Sequence, residues 1–170
     1  MKRVLIMGCP GAGKAKLAVR LGRITGLDVY HIKDDRFSVR HTDNEKLAWK
    51  EAVSKITEKD SWIIEGTQSI TYKMRINRAD TVLFIREKPF NCLKNFIKRS
   101  LRKKMAHSRD RLRISGDMIK KILAYRKSMR PIIDDLDKNS KSNLNVIFFS
   151  NEDEIDVYIK ELRMEYKATK

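Results

Sequence analysis

An α/β sandwich with a mainly parallel sheet is the fold this sequence predicts, and three observations carry the prediction. Short apolar runs of strand length alternate with longer stretches of helical period along the chain. The first run stops at a glycine-rich stretch, Gly8-Cys9-Pro10-Gly11-Ala12-Gly13-Lys14, which opens directly into a helical pattern. The chain has 170 residues, enough for one domain with a sizeable core, and no repeat, low-complexity tract or linker interrupts it.

The elements follow in order. Residues 4–7 form a short apolar run stopped by Gly8, the pattern of a buried parallel strand. Residues 14–24 place Leu17, Ala18, Leu21 and Ile24 on one helical stripe, which Gly26 ends. Residues 28–32 read as a second strand. Residues 44–59 read as a helix whose inward face is Leu47, Ala48, Ala52 and Ile56. Residues 61–65 (SWIIE) give a third strand, 69–78 a short helix and 81–85 (TVLFI) a fourth strand. Pro89 starts a helix with the stripe Phe90, Leu93, Ile97 and Leu101. Residues 106–116 are basic and lack apolar period, so they read as a loop. Residues 117–136 return to helix, which Pro131 should kink or break in two. A polar turn at 138–143, a strand at 145–149 (NVIFF) and a helix at 152–166 complete the chain. Trp49, Trp62, Tyr72 and Tyr125 read as packing residues.

In such sheets ligands bind beyond the carboxyl ends of the strands, so the residues that follow each strand belong together. The first of these stretches fits G-x-x-x-x-G-K. Its glycines let the backbone turn N–H groups toward phosphate oxygens, the next helix adds its N-terminal dipole, and Lys14 supplies a mobile charge for β/γ-phosphates. Residues 8–16 are therefore the candidate nucleotide loop. Its end departs from the usual pattern. A Ser/Thr hydroxyl normally ligates Mg²⁺ there, and Ala15 has none. Lys16, next along, brings a second positive charge toward the phosphates or points to solvent.

Charged residues make up 35% of the chain and the net charge is +16. Residues 94–130 alone hold fourteen Lys/Arg against two acids, so +12 of that charge is local and the remainder nearly balanced. Such a segment implies a polyanionic partner or a solvated basic face. No apolar run is long enough to cross a bilayer and the start is not a signal peptide, so a cytoplasmic protein is expected. Two cysteines make no disulfide framework, and the three histidines have no metal-ligand spacing, so no zinc site is expected.

The segments VLIMGCPGAGK, WIIEGT…YKMRINRADTVLFI and YRKSMRP together resemble the DNA topology modulation protein group. These are P-loop NTPases related to adenylate kinase and similar small-molecule kinases. The resemblance runs in order over most of the chain, and its middle segment is the most specific. It implies a three-layer sandwich with a five-stranded parallel sheet of order 2-3-1-4-5, a basic helical lid at about 99–117, and ATP or a related nucleotide as ligand. The chain departs from the group at Gly13-Lys14-Ala15-Lys16, at His31-Ile32-Lys33 with the acids displaced to Asp34 and Asp35, and at Glu65-Gly66 where Asp-Gly is usual.

The remaining candidates take roles from position and from that resemblance. Glu65 ends an apolar strand, where an acid holds Mg²⁺ through water or serves structure. Asp34 or Asp35 orients or deprotonates a substrate hydroxyl, or pairs with Arg36 or Arg40. Arg75 and Arg78 clamp an acceptor phosphate or carboxylate, or cap a helix. Arg109, Arg111 and Arg113 lie in the predicted lid, where kinases of this type close arginines over the transferring phosphoryl group. Arg126 and Arg130 are one helical turn apart and read as substrate-binding. Ser150 and Asn151 follow the last strand, where related folds hold the nucleotide base. Three functions compete: an ATP- and Mg²⁺-dependent small-molecule or nucleotide kinase, a nucleotide-binding protein with little or no turnover, and a nucleic-acid-associated protein using residues 94–130. No nucleic-acid-binding motif supports the last, and such binding is expected to be non-specific. The acceptor and the oligomeric state are not written in the sequence.

Overall fold

The computed structural model describes residues 1–32, 42–66, 69–106, 116–139 and 144–168, with the side chains at 69, 102–106 and 137–139 outside the description. Five strands, β1 (Arg3–Gly8), β2 (Val29–His31), β3 (Trp62–Glu65), β4 (Thr81–Ile85) and β5 (Asn145–Phe149), form one sheet of order β2-β3-β1-β4-β5. Every neighbouring pair is parallel. Among the described residues six α-helices connect or flank the strands: α1 (Lys14–Thr25), α2 (Asp43–Thr57), α3 (Tyr72–Arg78), α4 (Pro89–Ala106), α5 (Gly116–Asn139) and α6 (Glu152–Ala168). A 3₁₀ turn, Ser69–Thr71, leads into α3.

The three inner strands explain the core. All of β3 and β4, and β1 beyond Arg3, are buried, so consecutive residues pointing to opposite faces are both covered. Trp62 and Phe84 are the largest apolar side chains in that core. The chain start is fixed by Asp80, whose carboxylate accepts the backbone N–H of Lys2 at 3.1 Å and of Arg3 at 2.7 Å.

The inward faces of two helices are corrected, and of the two outcomes expected at Pro131, a kink or a break, the break does not occur. On α2 the inward face is not Leu47, Ala48 and Ala52, all exposed. It is Val53 and Thr57, with Trp49 and Ile56 half-buried beside them. Two stripes compete on this helix, and the one carrying the bulkier aromatic and β-branched groups wins the core. On α4 Phe90 and Leu101 are exposed, while Cys92 and Phe96 are buried and Leu93 and Ile97 half-buried. Finally, α5 is not broken in two at Pro131; it runs through it to Asn139. Tyr72, Tyr125 and Trp62 are buried as packing residues.

A backbone crossing after β3 positions the site. Gly66 has φ +137°, and a Cβ placed on it would lie 2.2 Å from the carbonyl oxygen of Ile32. The end of β2 and the turn after β3 therefore touch backbone to backbone, which only glycine permits. Gly66→Ala is expected to lower the unfolding free energy by about 2–4 kcal/mol, through strain plus a main-chain clash. Urea titration reads this; a loss below about 0.5 kcal/mol, ordinary for an exposed surface site, would mean that the two turns separate freely.

Candidate functional site

The site is built where β1 ends. Gly8 closes the strand and Gly13 occupies the N-cap of α1 in the left-handed conformation, with no side chain capping the helix. Between them the backbone turns on itself, Ala12 N–H donating to Cys9 O at 3.0 Å. Gly11, at φ +93°, is seated against α4: a Cβ there would lie 2.2 Å from the carbonyl oxygen of Cys92. Asn95 Nδ2 donates to Gly11 O at 3.3 Å and ties the loop to the same helix. The first N–H groups of α1 have no intrahelical partner, so the loop presents them with the positive end of the helix dipole.

Lys14 lies across this loop. Its Nζ donates to Gly8 O at 2.8 Å and Cys9 O at 3.0 Å. Burial pushes its pKa below the usual lysine value, while the Glu65 carboxylate works in the opposite direction. A desolvated ammonium held by two carbonyls is a charge that an entering anion can claim. Ala15, in the first turn of α1, is exposed. Lys16 does not lean over the loop: it pairs with Glu152 of α6, and Arg20 one turn on pairs with Asp156.

Glu65 sits on the strand next to β1, in register with Ile6 on one side and His31 on the other. It is buried, and its Oε1 lies 2.9 Å from His31 Nδ1. His31 was not foreseen as a site residue. Its sequence signal was only its place at the end of the second strand; the pairing with Glu65 depends on strand order. Among the described residues no group of three or more His, Cys, Asp or Glu gathers to hold a metal. The residues fit Mg²⁺ only in its usual nucleotide-borne form, in which phosphates and water supply most ligands and one carboxylate suffices.

The arginines divide. Arg75 is fully buried, its Nη1 donating to Gly66 O at 2.6 Å and its Nε to Thr71 O at 3.3 Å. It braces the turn after β3 from within the fold. Of the two roles expected for Arg78, clamping an acceptor or serving a helix end, its contacts are those of the second. It donates to Thr57 O at 3.2 Å and Glu58 O at 3.4 Å, at the end of α2. Because α3 runs back against the strand direction, its last residue lies at the amino edge of the sheet, beside the Asp80–Arg3 contact and opposite the loop. Arg126 and Arg130 are exposed on α5, while Tyr125 and Met129 face inward. Asn151 caps α6, its Oδ1 accepting Glu154 N–H at 2.9 Å while Ser150 N–H donates to Glu154 Oε2 at 2.7 Å. Asp34, Asp35, Arg109, Arg111 and Arg113 lie outside the described residues.

No family model matches the chain, and no curated protein matches it in sequence. Solved structures do match it. Shikimate kinase from Bacteroides thetaiotaomicron superposes with a TM-score of 0.63 at 14% identity, covering 98% of each chain. Shikimate kinase from Acinetobacter baumannii, in complex with shikimate, gives 0.62 at 11% identity, covering 100% of this chain and 95% of the other. Deoxyadenosine kinase from M. mycoides, with dCMP and dCDP bound, gives 0.53 at 13% identity, covering 98% and 99%. The fold is that of the P-loop kinases. At these identities the likeness is one of architecture. No helix among the described residues is long and apolar enough to cross a membrane.

The lowered pKa of Lys14 has a consequence for stability. Between that lowered value and the ordinary lysine range the unfolded chain binds a proton that the folded chain does not. Stability from this group is therefore present above the ordinary lysine pKa and is lost as pH falls through the folded value. Lys14→Met removes the titration. The stability of the wild type relative to this variant should rise as pH rises through the alkaline window. Urea titrations of both proteins at several alkaline pH values measure it, and a flat difference would mean that the ammonium is not desolvated.

Proposed function

We propose that this chain is an ATP-dependent phosphotransferase of the kinase type, acting on a small acceptor in the cytoplasm. The observation that carries the reading is Lys14, half-buried and hydrogen-bonded across a glycine loop at the centre of a P-loop kinase sheet. In this reading the whole chain is one domain with a lid at about 99–117. The loop from Gly8 to Lys14, with Ala15 after it, surrounds the β- and γ-phosphates through backbone N–H groups and the Lys14 ammonium. Glu65 faces the hydrated cation, and Mg²⁺, when bound, supplies neutralising charge for the phosphates. Asp34 or Asp35 addresses the acceptor hydroxyl. Arg109, Arg111 and Arg113 close over the transferring group, and Arg126 and Arg130 extend the cationic wall. Arg75 positions the Gly66 turn rather than touching the acceptor. Ser150 and Asn151 border the base. The resemblance to the topology modulation group belongs to the same reading and rests on the sequence segments that carry it.

A second reading, nucleotide binding with little turnover, is favoured by Ala15, which leaves the usual hydroxyl ligand missing. A phosphotransfer screen against nucleosides, nucleotides and small alcohols, with and without Mg²⁺, separates the two. Nucleic acid enters only as a non-specific polyanion, with an affinity that collapses as salt rises.

ATP should bind to the wild type, and Lys14→Ala should weaken it at least about tenfold, which corresponds to about 1.4 kcal/mol for one charge-assisted contact. Titration calorimetry decides this, and equal affinities would remove the loop from phosphate binding. Ala15→Ser should make nucleotide binding or turnover more responsive to Mg²⁺, because the serine oxygen replaces a water on the ion. An unchanged Mg²⁺ dependence would show that the missing ligand comes from elsewhere.

A further inference from the structure

The Glu65 carboxylate has one hydrogen-bond partner among the described residues, and that partner is His31. The Glu65 side chain is 10% exposed and the His31 side chain 38%, with His31 Nδ1 2.9 Å from Glu65 Oε1. A carboxylate can only accept, so the imidazole donates and its hydrogen sits on Nδ1. Glu65 Oε2 takes no hydrogen bond among the described residues and is not sealed from solvent.

Backbone imposes this contact. His31 of β2 is level with Glu65 of β3 in a parallel pair, so the two side chains leave the sheet on the same face. One residue on, Ile32 N–H donates to Glu65 O at 2.8 Å. Gly66 rests on Ile32 O, where a Cβ would lie 2.2 Å away, and Arg75 Nη1 holds the far side of the turn by donating to Gly66 O at 2.6 Å. A slip of one residue between the strands would send His31 to the opposite face, and this crossing forbids it. On the other side Glu65 is level with Ile6 of β1, which has no polar side-chain group to offer. The imidazole is therefore what fixes the direction of a carboxylate carried on a flexible stem. Lys14 shares the same edge: the first group that works against its desolvation is the Glu65 carboxylate.

We propose that His31 is a positioning residue: by holding Glu65 Oε1 it aims Oε2 at the hydrated Mg²⁺ of a nucleotide on the loop. The inference rests on the proposed reading of Glu65 and adds the group that orients it. A carboxylate that meets an ion through water acts by orienting that water, and one free to rotate orients nothing. Partners one step removed from a metal work in this way, setting the direction and basicity of the ligand. In this role His31 touches neither the ion nor the phosphates.

Two measurements on the full chain test this, the first without metal. Long-range ¹H–¹⁵N NMR at about pH 9, where imidazole is neutral, should show His31 with its hydrogen on Nδ1. The chain has three histidines, and loss of one signal in His31→Asn assigns it. A hydrogen on Nε2 would overturn the inference, because the carboxylate would then have no donor. The second measurement is calorimetry with ATP in the presence and absence of Mg²⁺, which gives the factor by which the ion strengthens nucleotide binding. Glu65→Gln should lower that factor at least about threefold, less than the tenfold common for a ligand bound directly, because water intervenes. His31→Phe should lower it similarly, with the Mg²⁺-free affinity within about twofold of wild type. His31→Asn, whose amide N–H can stand where Nδ1–H stands, should keep the factor within about twofold. In the double variant the second change should add nothing, since His31 acts only through Glu65. Should His31→Phe fail to fold, His31→Leu replaces it, and the NMR readout needs neither.

An unchanged factor in His31→Phe beside a lowered one in Glu65→Gln would overturn the inference and leave the reading of Glu65 standing. So would equal losses of ATP affinity with and without Mg²⁺, the mark of a merely structural role, or a His31→Asn variant that fails as His31→Phe does. A factor that Glu65→Gln leaves untouched, or a wild type that binds no ATP, would overturn the inference together with the reading on which it rests.

Discussion

The parallel pairing of β1 with both β3 and β4 is the constraint on which the site depends. It holds Gly8 level with Ile85 and puts Glu65 beside Ile6, two residues short of the loop. Three strand ends are thereby brought to one edge without any side chain having to hold them there. Once Gly8 is fixed, the chain has six residues in which to reach the start of α1, and it does so by resting on another backbone. Gly11 lies on Cys92 and Gly66 on Ile32, each at a distance that excludes a methyl group. These two contacts convert the sheet's register into the shape of the site. Side chains then decorate a frame that main chain has already set.

Within that frame the charges are arranged economically. Lys14, Glu65 and His31 come from three adjacent elements, and each is partly removed from water. The ammonium leans on carbonyls, the carboxylate leans on an imidazole, and the carboxylate works against the desolvation of the ammonium. An anion arriving at the loop meets a lysine whose present partners are neutral carbonyls. Exchanging them for phosphate oxygens replaces ammonium–carbonyl bonds, charged on one side only, with bonds charged on both sides. The buried arginine does a different job: Arg75 donates to the carbonyls of Gly66 and Thr71 and so braces the turn after β3.

Much of this was legible from local pattern. Strand length, the shift from apolar run to helical period and the glycine spacing of residues 8–14 are properties of neighbouring residues, and the observed sheet and loop follow them. The order 2-3-1-4-5 came through the family resemblance rather than from periodicity. What local pattern missed depends on the third dimension. The inward face of α2 was decided by which stripe carried the bulkier groups for the sheet beneath it. Arg78 and Arg75 read alike in sequence, three residues apart, yet one turn of α3 carries the first to the far edge of the sheet and buries the second under the loop. His31 gained its importance from a partner thirty-four positions away.

The net charge of the chain has the same three-dimensional logic. Where α1 meets α6, basic and acidic residues alternate and neutralise each other, as Lys16 with Glu152 and Arg20 with Asp156. Among the described side chains of α4 and α5, by contrast, no lysine or arginine forms an ion pair. Like charges on two packed helices repel, and surface pairs that would relieve the repulsion cost a protein little. That basic surface is joined to the loop after β1, because Gly11 rests on the Cys92 backbone and Asn95 donates to Gly11 O. Lys16 is turned from the loop toward Glu152, so α1 offers the loop its dipole and a single lysine.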